Sequence, residues 1–239
     1  MTYFNRGYIE FLQRLSENNN KSWFRENKKW YELAVREPFK KLLSDLLPGV
    51  KELDPEINME SKDALFRINR DTRFSRNQLP YKTYMSAGFS RGGKKSQYAG
   101  FYLQIGANHI VMGGGLPYID KDVLRKIRIE IGFNLPAFKR ILSVRNFTDL
   151  YGTLLGEVDQ DLPKSFAHIS KEFPLIAKKQ LYYFAFYRTD ELLFNETLPN
   201  IILKHFQAGS EMNMFLINAI GDFSKSPVHS STGKAVLEF

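Results

Sequence analysis

Residues 65–84 read LFRINRDTRFSRNQLPYKTY, setting Arg67, Arg70, Arg73, Arg76 and Lys82 against one acid, Asp71. Because the stretch also carries Phe66, Ile68 and Phe74, it needs an arrangement that buries rings while satisfying charges. Read as a strand, Ala64 to Asn69 alternates: Phe66 and Ile68 face one side, and Leu65, Arg67 and Asn69 face the other. The chain then turns through Arg70-Asp71-Thr72-Arg73.

Downstream, short runs of aromatic and branched residues predict strands at Tyr84 to Phe89, Tyr98 to Ile105 and His109 to Met112. Gly106-Ala107-Asn108 makes the last two an antiparallel hairpin, and Gly113-Gly114-Gly115 with Pro117 closes the sheet region. Leu181 to Arg188, LYYFAFYR, is apolar on both faces and is expected at the centre of a sheet.

Upstream, the opening of the chain is helical. Phe4, Tyr8, Phe11, Leu12 and Leu15 recur at helical spacing, and Asn20 is placed to cap a second helix bearing Trp23, Phe24, Trp30 and Tyr31. Pro38 forces a kink or restart, after which Phe39, Leu42, Leu43, Leu46 and Leu47 continue the face to a stop at Pro48-Gly49. Later, Ile119 to Ile131 forms a helix with Asp120 and Asp122 in its first turn and Gly132 just past its end, and Asn134 caps a short one. A long final helix starts at Thr197 and carries Ile202, Phe206, Leu216 and Ile220. Thr148 to Gln160 is broken by glycine and carries no clear period. Helices and strands come in blocks, so the expected class is α+β: a mostly antiparallel central sheet packed by an N-terminal helical segment and C-terminal helices. The expected organisation is a single domain over 1–222 followed by a polar tail over 223–239.

Composition narrows the function classes. The 239 residues are 43% hydrophobic and 14% aromatic, ample for a core. Lys and Arg outnumber Asp and Glu by 34 to 26, a net charge of +8 that favours anionic encounters. With no cysteine there is no disulfide framework, thiolate metal site or cysteine nucleophile. No signal-peptide pattern or run of the ~20 apolar residues that span a bilayer is present, so a cytoplasmic location away from membranes is expected.

Several motifs occur in order: NNNKSWF at 18–24, FRINRDTRFS at 66–75, PYKTY at 80–84, AGFYLQI at 99–105, GGGL at 113–116 and LRKIRIEI at 124–131. Together they resemble the bacterial conserved hypothetical family called domain of unknown function 2461, over roughly Phe4 to Ile220. The FR-x-x-RD-x-RF…PYK signature is the specific part. The resemblance implies no particular reaction or cofactor.

Arginine's planar fork suits bidentate contact with carboxylate or phosphate. Arg67, Arg70, Arg73, Tyr81 and Lys82 are therefore the candidate ligand-binding residues, with Asp71 as a positioning group or general base. Three functions follow. One is a site for an anionic small molecule bearing phosphate or carboxylate, with or without catalysis. Another is a nucleic-acid module using a basic face that adds Arg76, Arg91, Lys94 and Lys95. The third is a structural or partner-binding domain in which Asp71 merely pairs with Arg70 or Arg73, or Asp63 with Arg67, in an internal salt-bridge network. Asn18-Asn19-Asn20 reads as a cap and turn, or as amides reaching the arginine cluster.

Sharper motifs fail. Gly88-Phe89-Ser90-Arg91-Gly92 fits G-x-S-x-G, but no helix follows as a nucleophile elbow requires. Gly233-Lys234 lacks the rest of a P-loop. His109, His168, His205 and His229 have no paired-ligand spacing, so no metal site is expected. Trp23, Trp30 and Tyr31 read as core.

Overall fold

The computed structural model describes residues 2–73 and 78–221. Phe74 and Arg76, the tail over 223–239, His229 and the Gly233-Lys234 pair lie outside the described residues.

Helix α1 (Arg6–Glu17) buries Tyr8, Phe11, Leu12 and Leu15, and Asn20 caps α2 (Lys21–Glu26) by accepting the Trp23 N–H at 3.0 Å. α3 (Lys28–Tyr31) passes through a π turn, Glu32–Arg36, into α4 (Glu37–Leu53). The widened turn directly precedes Pro38, whose ring would clash with a carbonyl of a regular turn. Trp23, Trp30 and Tyr31 pack around the Phe11 ring as core.

The expected stop at Pro48-Gly49 does not occur, since α4 continues to Leu53 with Pro48 inside it. A helix-interior proline costs about 3 kcal/mol. Leu46, Leu47 and Val50 on the same face are buried, and each such side chain contributes about 1.5–3 kcal/mol, which outweighs that cost. α5 (Ser61–Ala64) follows, started by a capping box between Glu60 and Asp63, so Ala64 is helical and not part of a strand.

The sheet is an antiparallel meander in the order β1 (Tyr84–Ser90), β2 (Gly100–Gly106), β3 (His109–Leu116), β4 (Leu181–Arg188). The glycine triplet does not end the sheet as expected: β3 runs through it, with Gly113 opposite Tyr102 on one side and Phe184 on the other. A Cβ on Gly113 would collide with the Tyr183 carbonyl and the Phe184 ring, so the glycine is there for close approach. β4 lies at the end of the strand order, not at its centre, with Leu155 bridged to Tyr182 beyond it. Its two apolar faces have separate uses, one in the core and the other in a ring cluster described below.

Between β3 and β4 come α6 (Lys121–Phe133), α7 (Leu135–Ser143), α8 (Arg145–Tyr151) and α9 (Ala167–Glu172), with short 3-10 turns at Lys164–Phe166 and Pro174–Ala177. Gly132 falls inside α6, and the Asn134 side chain donates to Glu130 instead of capping α7. The unassigned Thr148 to Gln160 stretch holds the end of α8 and two bridges, Leu155 to Tyr182 and Val158 to Lys178. α10 (Thr189–Leu192) and α11 (Leu198–Ile220) complete the described chain. Thr197 stands at the start of α11, but its hydroxyl bonds Asn195 instead of the helix.

Two apolar clusters fill one face of the sheet. The first joins α1 and α4 to Met85, Ala87, Phe89, Leu103 and Ile105; the second joins α6, α7 and α8 to Leu116, Leu181, Tyr183 and Ala185. α11 supplies both. Tyr84, Val111 and Phe184 are buried too, yet belong to neither cluster, because alternation points them to the opposite face. The molecule is thus a single α+β domain whose sheet has a helical side and a ring-bearing side. Among the described residues no helix is long and apolar enough to cross a membrane.

Candidate functional site

The basic stretch is an irregular arm along the outer edge of β1. Phe66 N–H donates to the Ser86 carbonyl at 2.9 Å, Lys82 N–H to Ile68 at 2.8 Å and Arg70 N–H to Pro80 at 2.9 Å. Leu65 bridges Ala87 and Asn69 bridges Tyr81. Between these anchors Thr83, Tyr84 and Met85 stand opposite Arg67 alone, which makes a bulge.

That bulge overturns the expected alternation. Ile68 packs in the first core cluster, and Leu65 packs against it, whereas Phe66 lies over Gly88 on the ring-bearing face. The unequal strand lengths break the two-residue period that would have placed Phe66 with Ile68.

The candidate residues have different immediate surroundings. Tyr81 is buried with its ring stacked on Phe24, centroids 4.1 Å apart and planes 14° apart. Its backbone is held by the Asn19 side chain. Asn20 is thus a helix cap, while the Asn19 side-chain amide reaches the backbone of the arm. Arg73 is exposed and grips Asp71 with both ends of its fork, Nε to Oδ1 at 2.8 Å and a terminal nitrogen to Oδ2 at 2.7 Å. This bond holds the Asp71 carboxyl well below the usual carboxylate range. Arg70 is half-buried and Arg67 is exposed. After the larger effect of Arg73, the charge of Arg67 also acts on the Asp71 carboxyl.

Lys82 is different. It is only 7% exposed, and its ammonium sits 5.5 Å from the Phe66 ring centre and 5.7 Å from that of Tyr84. Lys94 approaches the same Phe66 ring at 5.8 Å while donating to the Leu65 carbonyl at 2.6 Å, and burial pushes its ammonium pKa down. Arg91, assigned to a broad basic face, is locked instead onto buried Asp54 through three hydrogen bonds of 2.8 to 3.1 Å. Lys95 is exposed.

From Lys82 the face continues into phenols. Tyr102 donates to Gln104 at 2.8 Å and is hydrogen-bonded by Ser86, which fixes its ring. Burial, and then the neighbouring Tyr84 phenol, push Tyr102 above its ordinary pKa. Tyr118 is raised in the same way, by burial and then by the charges the Tyr84 and Tyr182 phenols would carry. These hydroxyls are neutral at physiological pH.

Tyr102, Tyr118 and Tyr182 were not among the residues singled out from sequence. A signal existed in β1 and β2. Tyr84, Ser86, Gly88 and Ser90, then Gly100, Tyr102 and Gln104, occupy every second position against an apolar set, marking a face with a use of its own. Ser90 itself closes a turn, donating to the Gly93 carbonyl at 2.7 Å, in keeping with the rejected elbow.

A family model described as "Conserved hypothetical protein (DUF2461)" matches residues 7–215. The chain belongs to that family. No curated protein and no solved structure matches it.

Proposed function

We propose that the Lys82 end of this sheet face binds a small molecule bearing phosphate or carboxylate. The observation that supports the reading is the gathering of Lys82, Lys94 and neutral phenols around Phe66 and Tyr84. Ammonium groups only donate hydrogen bonds, and a neutral phenol donates one, so an anion is the ligand that complements them. Burial at Lys82 strengthens such a contact relative to the same charge in water. Asp71 enters as a positioning group, occupying Arg73 and so setting how much positive charge the arm presents.

Calorimetric titration of the protein with inorganic phosphate, pyrophosphate and citrate tests this. Lys82→Met is expected to weaken binding by about tenfold, the size of one charge-assisted hydrogen bond. Asp71→Asn, which releases Arg73, is expected to strengthen it. Equal affinities for wild type and Lys82→Met, with folding verified by circular dichroism, would sink the proposal.

The exposure of Arg67, Arg73 and Lys95 favours a second reading, nucleic-acid binding through the outside of the arm. Its signature is oligonucleotide affinity that falls steeply with salt and ignores Lys82→Met.

A further inference from the structure

The phenols lead into a row of rings crossing three strands. Tyr102 on β2 lies 5.5 Å from Phe184 on β4, and Phe184 lies 5.1 Å from Tyr182 and 6.5 Å from Phe186, all between ring centres. β3 contributes no side chain where the row crosses it, since Gly113 is the residue between Tyr102 and Phe184. The Phe184 ring occupies the space a Cβ there would need, so it lies close against the sheet as a floor with the tyrosines around it.

This surface is not sealed. Tyr118 keeps 38% of its surface in solvent and Phe186 keeps 50%, although large rings gain about 1.5–3 kcal/mol from full burial. The row meets the cationic end through Tyr84, whose ring centre lies 5.7 Å from the Lys82 ammonium and whose phenol acts electrostatically on both Tyr102 and Tyr118. One molecule of modest size therefore reaches both. A bare anion uses only the lysines, and an uncharged ring uses only the aromatics.

We infer that the ligand couples a planar ring to an anionic group, as in a nucleoside monophosphate or an aryl phosphate. Its ring stacks among Tyr102, Tyr118 and Tyr182, and its anion sits at Lys82. The inference rests on the anion-site reading above and adds the ring. Stacking on aromatic side chains tolerates many ring types, whereas the phosphate is selected by charge.

The test is calorimetry of the full chain against inorganic phosphate, adenosine, adenosine 5′-monophosphate and phenyl phosphate. The ring-bearing phosphates are expected to bind at least about tenfold tighter than inorganic phosphate, consistent with one stacked ring. Tyr118→Ala, outside the strands, and Tyr182→Ala, on the edge strand, are expected to remove that gain, so that each variant binds the ring-bearing phosphates no more tightly than it binds inorganic phosphate. Adenosine 5′-monophosphate binding more tightly than phenyl phosphate identifies a nucleotide; equal binding identifies a general aryl anion. If inorganic phosphate binds as well as either ring-bearing phosphate, the ring is overturned and the anion site stands. If adenosine matches its monophosphate, the anion site falls and this inference falls with it. If none of the four binds, both are overturned.

Discussion

The side-chain amide of Asn19 clasps the backbone of Tyr81 in both directions, donating to its carbonyl at 2.9 Å and accepting from its N–H at 3.0 Å. Tyr81 pairs with Asn69 on its other side, where the hydrogen bonds come from Arg70 and Lys82. Asn19 thus does for Tyr81 what a further strand would do, and it fastens the loop between α1 and α2 to the basic arm.

Removing the clasp leaves both backbone groups of Tyr81 without their partner. Asn19→Ala is expected to cost about 1–3 kcal/mol in urea denaturation. It is also expected to speed hydrogen exchange at the Tyr81 amide more than at β2 amides. An unchanged Tyr81 exchange rate would show that the arm holds its place without Asn19.

Arg128 is a second point where one side chain organises a loop. It is 4% exposed, donates to the Ile176 carbonyl at 3.0 Å and pairs with Asp159 at 2.9 Å. The pairing lowers the Asp159 pKa, chiefly through that hydrogen bond. Arg128→Met leaves a half-buried carboxylate and the buried Ile176 carbonyl without their donor, and the expected loss is about 1–3 kcal/mol. Asp159→Asn, which retains an acceptor, should cost less. Equal losses in chemical denaturation would contradict this account.

His205 predicts a pH effect. Its Nδ1 lies 2.7 Å from the Ile201 carbonyl, which only accepts, so Nδ1 carries the proton and Nε2 accepts from the Tyr187 hydroxyl at 2.7 Å. Burial, with a smaller effect of nearby Lys204, pushes the His205 pKa down. The folded protein therefore resists a proton that the unfolded chain takes up near pH 6.5. The stability tied to this histidine is complete above about pH 6.5 and is lost as pH falls through the lower folded value. Melting temperatures at pH 7.5 and 5 should differ more for wild type than for His205→Gln, and an identical difference would remove His205 as a cause.

The readable parts of the chain were those governed by near neighbours. α1 and α11 follow from apolar spacing alone, and the β2–β3 register follows from the two residues, Ala107 and Asn108, that join them. Gly113 misled because glycine signals a turn locally, while its actual role is set by Tyr183 and Phe184 across the sheet. Alternation along 64–69 places Phe66 on the wrong face because the bulge that moves it resides in its partner segment, not in its own sequence. The Asn19 clasp joins residues 62 positions apart, beyond any local pattern. Lys82 was legible as a charge beside an aromatic stretch. The surrounding tyrosines come from β2, β4 and the loop after β3, and their meeting depends on a strand order that only the folded chain reveals.

α11 carries one more implication. Leu198, Ile202 and Phe206 belong to one interior cluster, and Met212, Leu216, Ile217 and Ile220 of the same helix belong to the other. Melting either cluster strips one end of a continuous rod of its packing, and a helix so short of support frays throughout. The halves of the interior are coupled mechanically into one cooperative unit. Trp23 and Trp30, both beside the first cluster, should report the same denaturation midpoint as the far-ultraviolet signal of the whole chain.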